Sequence, residues 1–375
     1  MSVIKRKKYW AVLLTVCFSI LLSACAAGSP EVSKDIFAMD TFMNIRAYGE
    51  NADEAVERCV QEIEILEKLF DAQDPKSEIS ALNRKKNMEV SADTADIISR
   101  AREVSTITEG AFDITVYPIV KEWGFTTGEY TIPDRDTIEA LLENTGQDRI
   151  VIESAGEKPD EEEVTFDEIS HNADVYNDAG SAKILVQMPE NYEIGLGGIA
   201  KGYASDRLME IFRQEGIGSG IVSLGGNVAA CGTKPDGKPW RVAIENPDTD
   251  KKIKALKIAE YIGVVEVSDK SVITSGGYER FFEKDGVRYH HIIDPKTGSP
   301  ADSGLISVSI ISDDGCLADG LSTALFVMGK EKALQCWSEH KSMFDCILVE
   351  SDGSVTITEG LKNSFSSDLP YEIYR

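Results

Sequence analysis

The 375-residue sequence is short of positive charge. It contains 39 lysines and arginines against 64 aspartates and glutamates, which gives a net charge of −25. Four of the basic residues form Lys5–Lys8, so the rest of the chain is more acidic still. Such a chain repels phosphate backbones, which argues against a DNA- or RNA-binding protein. An anionic ligand would therefore need local help from a metal ion or a helix N-terminus.

The sequence also lacks the patterns that indicate a zinc site or a disulfide framework. None of its seven cysteines belongs to a CxxC pair, and it has only four histidines. Cys17 and Cys25 lie in the first 25 residues, which leaves an odd number of cysteines in the body. We predict that the remaining cysteines are buried free thiols. These are Cys59, Cys231, Cys316, Cys336 and Cys346.

Long apolar runs are absent except near the N-terminus, where Trp10–Leu22 follows the basic Lys5–Lys8. This run is shorter than the ~20 residues that a transmembrane helix needs, and it is typical of a signal peptide. The next residues, Leu22-Ser23-Ala24-Cys25-Ala26, resemble a bacterial lipobox. We therefore expect Cys25 to carry lipid, the alternative being a plain buried or signal-anchor cysteine.

Domain organisation follows from these patterns. We predict a signal peptide over residues 1–24, a lipidated tether over 25–35 and one folded domain over 36–375. The protein would then lie at the extracytoplasmic face of the cell membrane, held by its lipid. The whole chain has 42% hydrophobic residues, and its body has no internal repeat and no clear linker. These values exclude a mostly disordered or collagen-like chain.

Periodicity predicts an α+β fold, with helices packed on a mainly antiparallel sheet. The predicted helices are 52–70, 93–108, 200–214 and 316–327. The predicted strands are 36–48, 183–196, 220–224, 240–245, 264–267, 287–293, 306–311, 346–349 and 355–358. Residues 146–176 are the most acidic and least periodic part of the chain, and within them residues 157–163 are predicted to form a solvated loop or hairpin tip without function.

Two glycine turns are candidate binding sites. Gly195–Gly202 opens a helix, so its backbone N–H groups and Lys201 could hold an anion, although a tight structural turn explains the glycines equally well. Ser223–Asn227 is a second turn at a strand end. For that turn, a close approach between backbones is the better interpretation.

Two further clusters carry titratable side chains. His290 and His291 are adjacent, so on a strand at most one of them could serve a site as a base. Asp319 and Thr323 are four residues apart on a helix, which places a carboxylate and a hydroxyl side by side. These are oxygen ligands that suit Mg²⁺. Each cluster alone has a structural explanation, but together they suit metal-assisted phosphoryl or nucleotidyl chemistry.

Seven short motifs occur in one order along the chain. They are Met39–Thr41, Ser77–Asn83, Gly110–Thr115, Gly197–Ala204, Thr274–Gly276, His291–Pro295 and Ala318–Ala324. The set resembles the FAD:protein FMN transferases, the ApbE family of exported flavin transferases. The resemblance extends from about Phe37 to the end of the chain.

This resemblance implies a fold and a reaction. The fold would be an ApbE-like, T-fold-related single catalytic domain. FAD would be bound with Mg²⁺ on its pyrophosphate, and a threonine or serine hydroxyl of an acceptor protein would attack the FMN phosphorus. FMN would become ester-linked to the acceptor, and AMP would leave.

The resemblance also implies roles for individual residues. The metal ligands would be Asp319, Thr323 and the main-chain carbonyl of Gly198. His291 is the candidate for activating the acceptor hydroxyl, with metal proximity or Asp294 as alternatives. The implied FAD contacts are Met39, Ala111, Phe112, Asp113, Lys201, Thr274 and Ile293.

The chain departs from the family pattern at two positions. Gly195 stands where many members have aspartate, so a carboxylate contact is lost or supplied from elsewhere. The loop 71–76 lacks the aromatic residue that members often carry before the serine corresponding to Ser77, which puts an aromatic stack on FAD in doubt.

Two other activities remain compatible with the sequence. The same site would act as an FAD pyrophosphatase, giving FMN and AMP, if water replaced the protein hydroxyl. A flavin-binding lipoprotein without catalysis is the second alternative. The family implies redox proteins as acceptors, such as Rnf- or Nqr-like subunits or extracellular electron-transfer lipoproteins.

Overall fold

A computed structural model describes residues 30–154, 184–248, 253, 256 and 259–375. The predicted signal peptide, Cys25, residues 26–29 of the predicted tether and the predicted loop 157–163 lie outside the described residues. The tether prediction is wrong for residues 31–35, because they belong to the strand Glu31–Ala38, which pairs with Thr41–Tyr48. Within the described ranges, no helix has the length and apolar character needed to span a membrane.

The helices and strands alternate irregularly along the chain. The helices are α1 (Ala52–Phe70), α2 (Glu78–Lys85), α3 (Ala92–Ile107), α4 (Tyr117–Glu122), α5 (Arg135–Leu142), α6 (Ala200–Gln214), α7 (Gly315–Met328) and α8 (Lys330–Glu339). The strands are β1 (Glu31–Ala38), β2 (Thr41–Tyr48), β3 (Asn87–Val90), β4 (Val151–Ser154), β5 (Ile184–Gln187), β6 (Ser219–Leu224), β7 (Asn227–Gly232), β8 (Trp240–Glu245), β9 (Tyr261–Val267), β10 (Ser271–Gly276), β11 (Phe281–Lys284), β12 (Val287–His290), β13 (Leu305–Ser312), β14 (Asp345–Glu350), β15 (Val355–Thr358), β16 (Phe365–Ser366) and β17 (Glu372–Tyr374).

A nine-stranded sheet forms the centre of the fold. Its order is β1-β2-β6-β7-β10-β13-β14-β15-β17, and every pair is antiparallel except β15 with β17. Three smaller sheets accompany it: β16-β9-β8, β3-β5-β4 and the hairpin β11-β12. The architecture confirms the α+β prediction with a mainly antiparallel sheet.

Helices cover one face of the central sheet. Helix α1 presents a stripe at helical spacing, with Ala55, Cys59, Ile63 and Leu66 all fully buried. Such a stripe drives a helix onto a sheet because burying each large apolar side chain stabilises the fold by roughly 1.5–3 kcal/mol. Helices α6 and α7 pack against each other and against the middle of the sheet. The second face of the sheet meets β8 and β9 through a separate apolar cluster.

An aromatic cluster lies beside the hairpin β11-β12. Phe282 stacks between Tyr130 and Tyr289, with ring centroids 5.0 and 5.1 Å away. Trp123 packs on Tyr289 and donates its indole N–H to the carbonyl of Gly298. This cluster fixes the hairpin whose second strand leads directly into His291.

Most predicted elements are confirmed, and four strand predictions are wrong in extent. The strand predicted over 264–267 begins three residues earlier, at Tyr261. Residues 36–48 form two strands, because Met39 and Asp40 take φ of 48° and 58° and make a two-residue hairpin turn. The strand predicted over 183–196 ends at Gln187, and the backbone of Ile194 instead pairs with the carboxamide of Asn83. The strand predicted over 287–293 ends at His290.

The cysteine prediction is confirmed, since all five cysteines of the body are buried and free. Burial raises the pKa of Cys59 to about 12 and that of Cys336 to about 11. These thiols therefore remain protonated and unreactive at neutral pH.

Candidate functional site

Two turns and the end of a third strand meet at one end of the central sheet. The hairpin register pairs Met43 with Leu224 and Leu224 with Asn227, so the β1-β2 turn and the β6-β7 turn lie side by side. The N–H of Gly225 donates to the carbonyl of Phe42 at 3.1 Å, which confirms a close backbone approach there, and a Cβ added at Gly225 would lie 2.4 Å from Oγ1 of Thr41. Strand β10 runs antiparallel to β7, so its last residues reach the same end.

Helix α6 begins at this end of the sheet through the glycine turn. Its N-cap residue, Ile199, offers no side-chain cap, and the first turn contains no acid. The carboxamide of Asn83 holds the segment before the turn, accepting from the N–H of Ile194 at 2.8 Å and donating to its carbonyl at 2.9 Å. The helix start is therefore fixed in place, and its backbone donors remain suited to an anion.

Asp319 binds one of the backbone N–H groups in the first turn of α6. It lies in the middle of α7, is 3% exposed and accepts a hydrogen bond from the N–H of Gly202 at 2.8 Å through Oδ2. Its Oδ1 lies 4.0 Å from Nζ of Lys201. One carboxylate oxygen thus joins the two helices, while the other faces the lysine.

Hydroxyl groups form a directed chain beside Asp319. Ser322 donates to the carbonyl of Asp319 at 2.8 Å, and its oxygen lies 2.7 Å from Oγ of Ser275. Ser275 must therefore donate to Ser322, since each hydroxyl has one proton. Ser275 also lies 3.2 Å from Oγ1 of Thr323, so Thr323 must be the donor in that pair. The lone pairs of Thr323 are left free to bind a cation.

Gly198, in the glycine turn before α6, lies beside Thr323 and Phe112. A Cβ added to it would lie 3.8 Å from Oγ1 of Thr323 and 3.1 Å from the ring of Phe112. The structure thus brings together Gly198, Lys201, Asp319, Thr323 and Phe112, which the sequence names from three separate segments.

The oxygen atoms that the resemblance names as metal ligands are of the kind that suits Mg²⁺. The donor set has one carboxylate oxygen, one hydroxyl and one main-chain carbonyl, all hard ligands. In the described part of the chain, no three side chains of His, Cys, Asp or Glu gather as a metal site. A cation here would therefore depend on neutral oxygens, water and phosphate oxygens of the substrate, which is the usual behaviour of Mg²⁺.

The Ala111–Asp113 segment is held by buried hydrogen bonds. Ala111 and Phe112 are buried, and Gln147 donates to the carbonyl of Phe112 at 3.2 Å. Asp113 accepts from the N–H and the hydroxyl of Thr115 at 2.8 and 2.6 Å. Burial nevertheless raises the pKa of Asp113 above its ordinary value.

Three further residues that the resemblance names, Met39, Ile293 and Asp294, are each held by different neighbours. Met39 occupies the β1-β2 turn, where its N–H donates to Glu67 at 2.6 Å. Ile293 is buried beside the aromatic cluster, and Asp294 accepts from the N–H of Lys296 in the following turn. Asp294 also lines a small cavity of about 100 Å³ together with Ala111.

Thr274 is not brought to the hydroxyl chain. Its oxygen lies 2.7 Å from Oγ of Ser309 on the neighbouring strand. Because side chains alternate along β10, Thr274 faces away from Ser275 and from α7. A side-chain contact of Thr274 with the Asp319 cluster is therefore absent, and its role as an FAD contact stays a prediction.

The two histidines bond to different backbone carbonyls. Nε2 of His290 lies 3.0 Å from the carbonyl of Ala301, and Nδ1 of His291 lies 3.2 Å from that of Arg280. A carbonyl only accepts, so Nδ1 of His291 carries the proton and Nε2 presents a lone pair. Loss of hydration lowers the pKa of His291 to about 4, which keeps the ring neutral near pH 7.

Glu279 and Arg280 belong to the site but were not assigned a role from the sequence. Glu279 lies within electrostatic range of Lys201 and Asp319. Loss of hydration, together with the charges of Asp319 and Glu245, raises the pKa of Glu279 to about 7. These residues follow the Thr274–Gly276 motif by only a short turn, so the signal was present in the sequence next to that motif. The hydroxyl of Ser275 was likewise overlooked.

The unusual glycine at position 195 has a steric explanation. A Cβ there would lie 2.4 Å from the ring of Tyr117. Tyr117 therefore occupies the space that an aspartate side chain at position 195 would need. Burial raises the pKa of Tyr117 to about 12, so its hydroxyl stays neutral and supplies no replacement for a carboxylate.

Comparison with known proteins gives one consistent result. A model of the ApbE family matches residues 39–348. The FAD:protein FMN transferase of Haemophilus influenzae is 30% identical over 365 residues, which cover 93% of this chain and 96% of that protein. The Klebsiella pneumoniae protein of the same name is 31% identical, with coverage of 92% and 94%.

Solved structures agree with these relatives. The ApbE protein of Thermotoga maritima superposes with a TM-score of 0.74 at 30% identity, covering 89% of this chain and 98% of that one. The flavin transferase ApbE of Vibrio cholerae superposes with a TM-score of 0.71 at 26% identity, covering 90% and 99%.

Proposed function

The chain belongs to the ApbE family, and from this premise we propose that it transfers FMN from FAD to a threonine or serine hydroxyl of an acceptor protein and releases AMP. The observation that carries the proposal is the meeting of Asp319 and Thr323 with the glycine–lysine turn that opens α6. Lys201 suits a diphosphate, and the second carboxylate oxygen of Asp319 and the lone pairs of Thr323 suit the cation that would accompany it.

The reaction is an in-line displacement at phosphorus. A bond forms between the acceptor oxygen and the FMN phosphorus, and the bond from that phosphorus to the bridging oxygen breaks. AMP leaves with the electron pair, and the hydroxyl proton passes to a base. Lys201 and the N–H groups at the start of α6 offset the negative charge that collects on the phosphates.

We propose Mg²⁺ as the metal, held by Asp319, the Thr323 hydroxyl and the carbonyl of Gly198. Bound there, it would supply positive charge to the diphosphate of FAD. The net charge of −25 supports this requirement, since an anionic substrate approaches an acidic protein.

His291 is the proposed base for the acceptor hydroxyl. Its free Nε2 supports this role, but a pKa of about 4 makes the ring a weak base. We therefore expect His291→Gln to lower kcat by about 100-fold, at the low end for general base catalysis. The adjacent His290→Gln is the matched control, because that ring bonds to another carbonyl.

The pH profile separates this role from a structural one. A base works unprotonated, so its contribution is present above its pKa and is lost as the pH falls through that value. The acid limb of kcat should lie near pH 4, rather than near the ordinary histidine value of about 6.5. The profile is best measured in Glu279→Gln, which removes a second group that titrates nearby. An acid limb unchanged by His291→Gln would assign the base to another group.

The transfer itself is tested with the soluble body from residue 26 onward. This protein is incubated with FAD, Mg²⁺ and an acceptor that carries a flavinylation-type threonine, and the intact mass of the acceptor and the released AMP are measured. We expect one FMN per acceptor and one AMP per FMN. AMP without modified acceptor would favour the pyrophosphatase, and bound FAD without either product would leave a flavin-binding protein.

Membrane anchoring is a separate proposal that rests on the sequence around Cys25. We propose that lipid on Cys25 holds the catalytic domain at the extracytoplasmic face of the membrane, where redox proteins of the Rnf or Nqr kind or electron-transfer lipoproteins would be its acceptors. Cys25→Ser should move the protein from the membrane fraction to the soluble fraction. A variant that stays with the membrane would contradict the lipid anchor.

A further inference from the structure

Asn227 is a buried polar side chain for which the proposed mechanism has no use. It is the first residue of β7, directly after the Gly225-Gly226 turn, and it is 2% exposed. Its Nδ2 has no hydrogen-bond partner among the residues that the structure describes. A buried donor without a partner destabilises a fold, so its retention calls for a reason.

The position of Asn227 in the sheet supplies that reason. Asn227 pairs with Leu224, and Leu224 faces the helices, so the carboxamide lies on the helix-covered face. Strand β10 pairs Val272 with Val228, and continuing that register places Ile273 opposite Asn227. Ser275 lies two residues further along β10 on the same face, at a diagonal distance of about 7–8 Å.

Asn227 thus lies between two groups of predicted substrate contacts. On one side is Ser275, which bonds to Thr323 in the proposed metal site. On the other side, two strands away, the β1-β2 turn contains Met39. Adjacent strands are about 4.8 Å apart, so β2 and β10 are separated by roughly 14 Å across β6 and β7. A molecule that reaches from the metal site to Met39 must cross the end of β7.

We infer that Asn227 is a further FAD-binding residue, whose Nδ2 donates a hydrogen bond to an oxygen on the FMN half of the substrate. This inference rests on the proposed function for the identity of the ligand. In the proposed function the diphosphate is bound by Lys201 and by a cation at the Asp319 cluster, so a neutral donor beyond them suits a ring carbonyl or a ribityl oxygen. The unpaired amide then destabilises the protein only while FAD is absent, because bound FAD supplies the missing partner.

Replacing Asn227 should have opposite effects on the thermal stability of the protein and on its affinity for FAD. Asn227→Leu removes an unpaired polar group, so the midpoint of thermal unfolding without FAD should rise by about 2–4 °C. The dissociation constant for FAD, measured by flavin fluorescence without acceptor, should increase about tenfold. Asn227→Ala, which cannot overpack the site, should weaken FAD binding to a similar extent. A purely structural asparagine predicts lower stability and unchanged FAD affinity.

Thr356→Val is the matched control. Thr356 is 3% exposed, its Oγ1 is buried without a partner in the described residues, and it lies on β15, three strands from β10. This variant should leave FAD affinity unchanged. An equal loss of FAD affinity in Thr356→Val would show that the effect is general and would overturn the inference.

FMN and AMP, the two halves of FAD, serve as smaller probes that show which half Asn227 contacts. Asn227→Leu should weaken FMN binding by the same factor as FAD binding and leave the competition by AMP unchanged. Weaker AMP competition with normal FMN binding, or unchanged FAD affinity, would overturn the inference. Because these assays contain no acceptor, they remain decisive even if the protein fails to transfer FMN.

Discussion

Asp319→Asn should abolish FMN transfer, with a fall in kcat of at least about 1,000-fold. The variant keeps an oxygen that accepts from the N–H of Gly202, so the contact between α6 and α7 is preserved. It removes the only carboxylate of the proposed donor set and leaves Lys201 facing a neutral group. A loss of about 4 kcal/mol in transition-state stabilisation, typical of a displaced catalytic cation, corresponds to this factor.

The measurement needs a readout of the metal as well as of the product. Mg²⁺ affinity, followed by calorimetry with FAD present, should fall along with AMP release, while the thermal midpoint of the metal-free protein should change little. Asp313→Asn removes the same charge from an exposed position just before α7 and should leave both quantities unchanged. Full Mg²⁺ affinity with lost activity would assign Asp319 a role other than ligand.

The sequence predicted the helical elements of the site well. Helix α6 was predicted over the same residues that the structure assigns, and α7 was predicted to within a residue at each end. Both have buried residues at helical spacing and glycine near a boundary, signals that are local in the chain. The side-by-side placement of Asp319 and Thr323 follows from the same spacing, and the structure confirms it.

Features that depend on strand register were not predictable. The turn at Met39 and Asp40 has neither glycine nor asparagine to mark it, so two strands were read as one. The hydroxyl chain joins Ser275 to Thr323 across 48 residues of sequence. Glu279 reaches Lys201 and Asp319 only because β10 ends beside α7. Each of these contacts depends on how strands align, which a single sequence specifies weakly.

Because α6 and α7 approach closely at Gly202, we expect Gly202→Ala to destabilise the protein strongly. A Cβ added at Gly202 would lie 2.2 Å from the carbonyl oxygen of Gly315 and 2.6 Å from Cβ of Asp319. Neither neighbour is the end of a flexible side chain, so Gly202→Ala must separate the helices. We expect the free energy of unfolding to fall by about 3 kcal/mol, since overpacking outweighs the gain of roughly 1 kcal/mol in helix propensity.

The same substitution should disable the site in the fraction that still folds. Separation of the helices breaks the hydrogen bond from Gly202 to Asp319 and moves the carboxylate away from Lys201, so Mg²⁺ affinity and FMN transfer should both be lost. Denaturant unfolding and calorimetry measure the two effects, with Gly218→Ala as the control, because an added Cβ there meets nothing within 4 Å.

A stable and fully active Gly202→Ala would contradict the close packing. Loss of stability with activity retained at low temperature would instead mean that Asp319 keeps its place without the helix contact, so that α7 and β10 alone position the metal ligands.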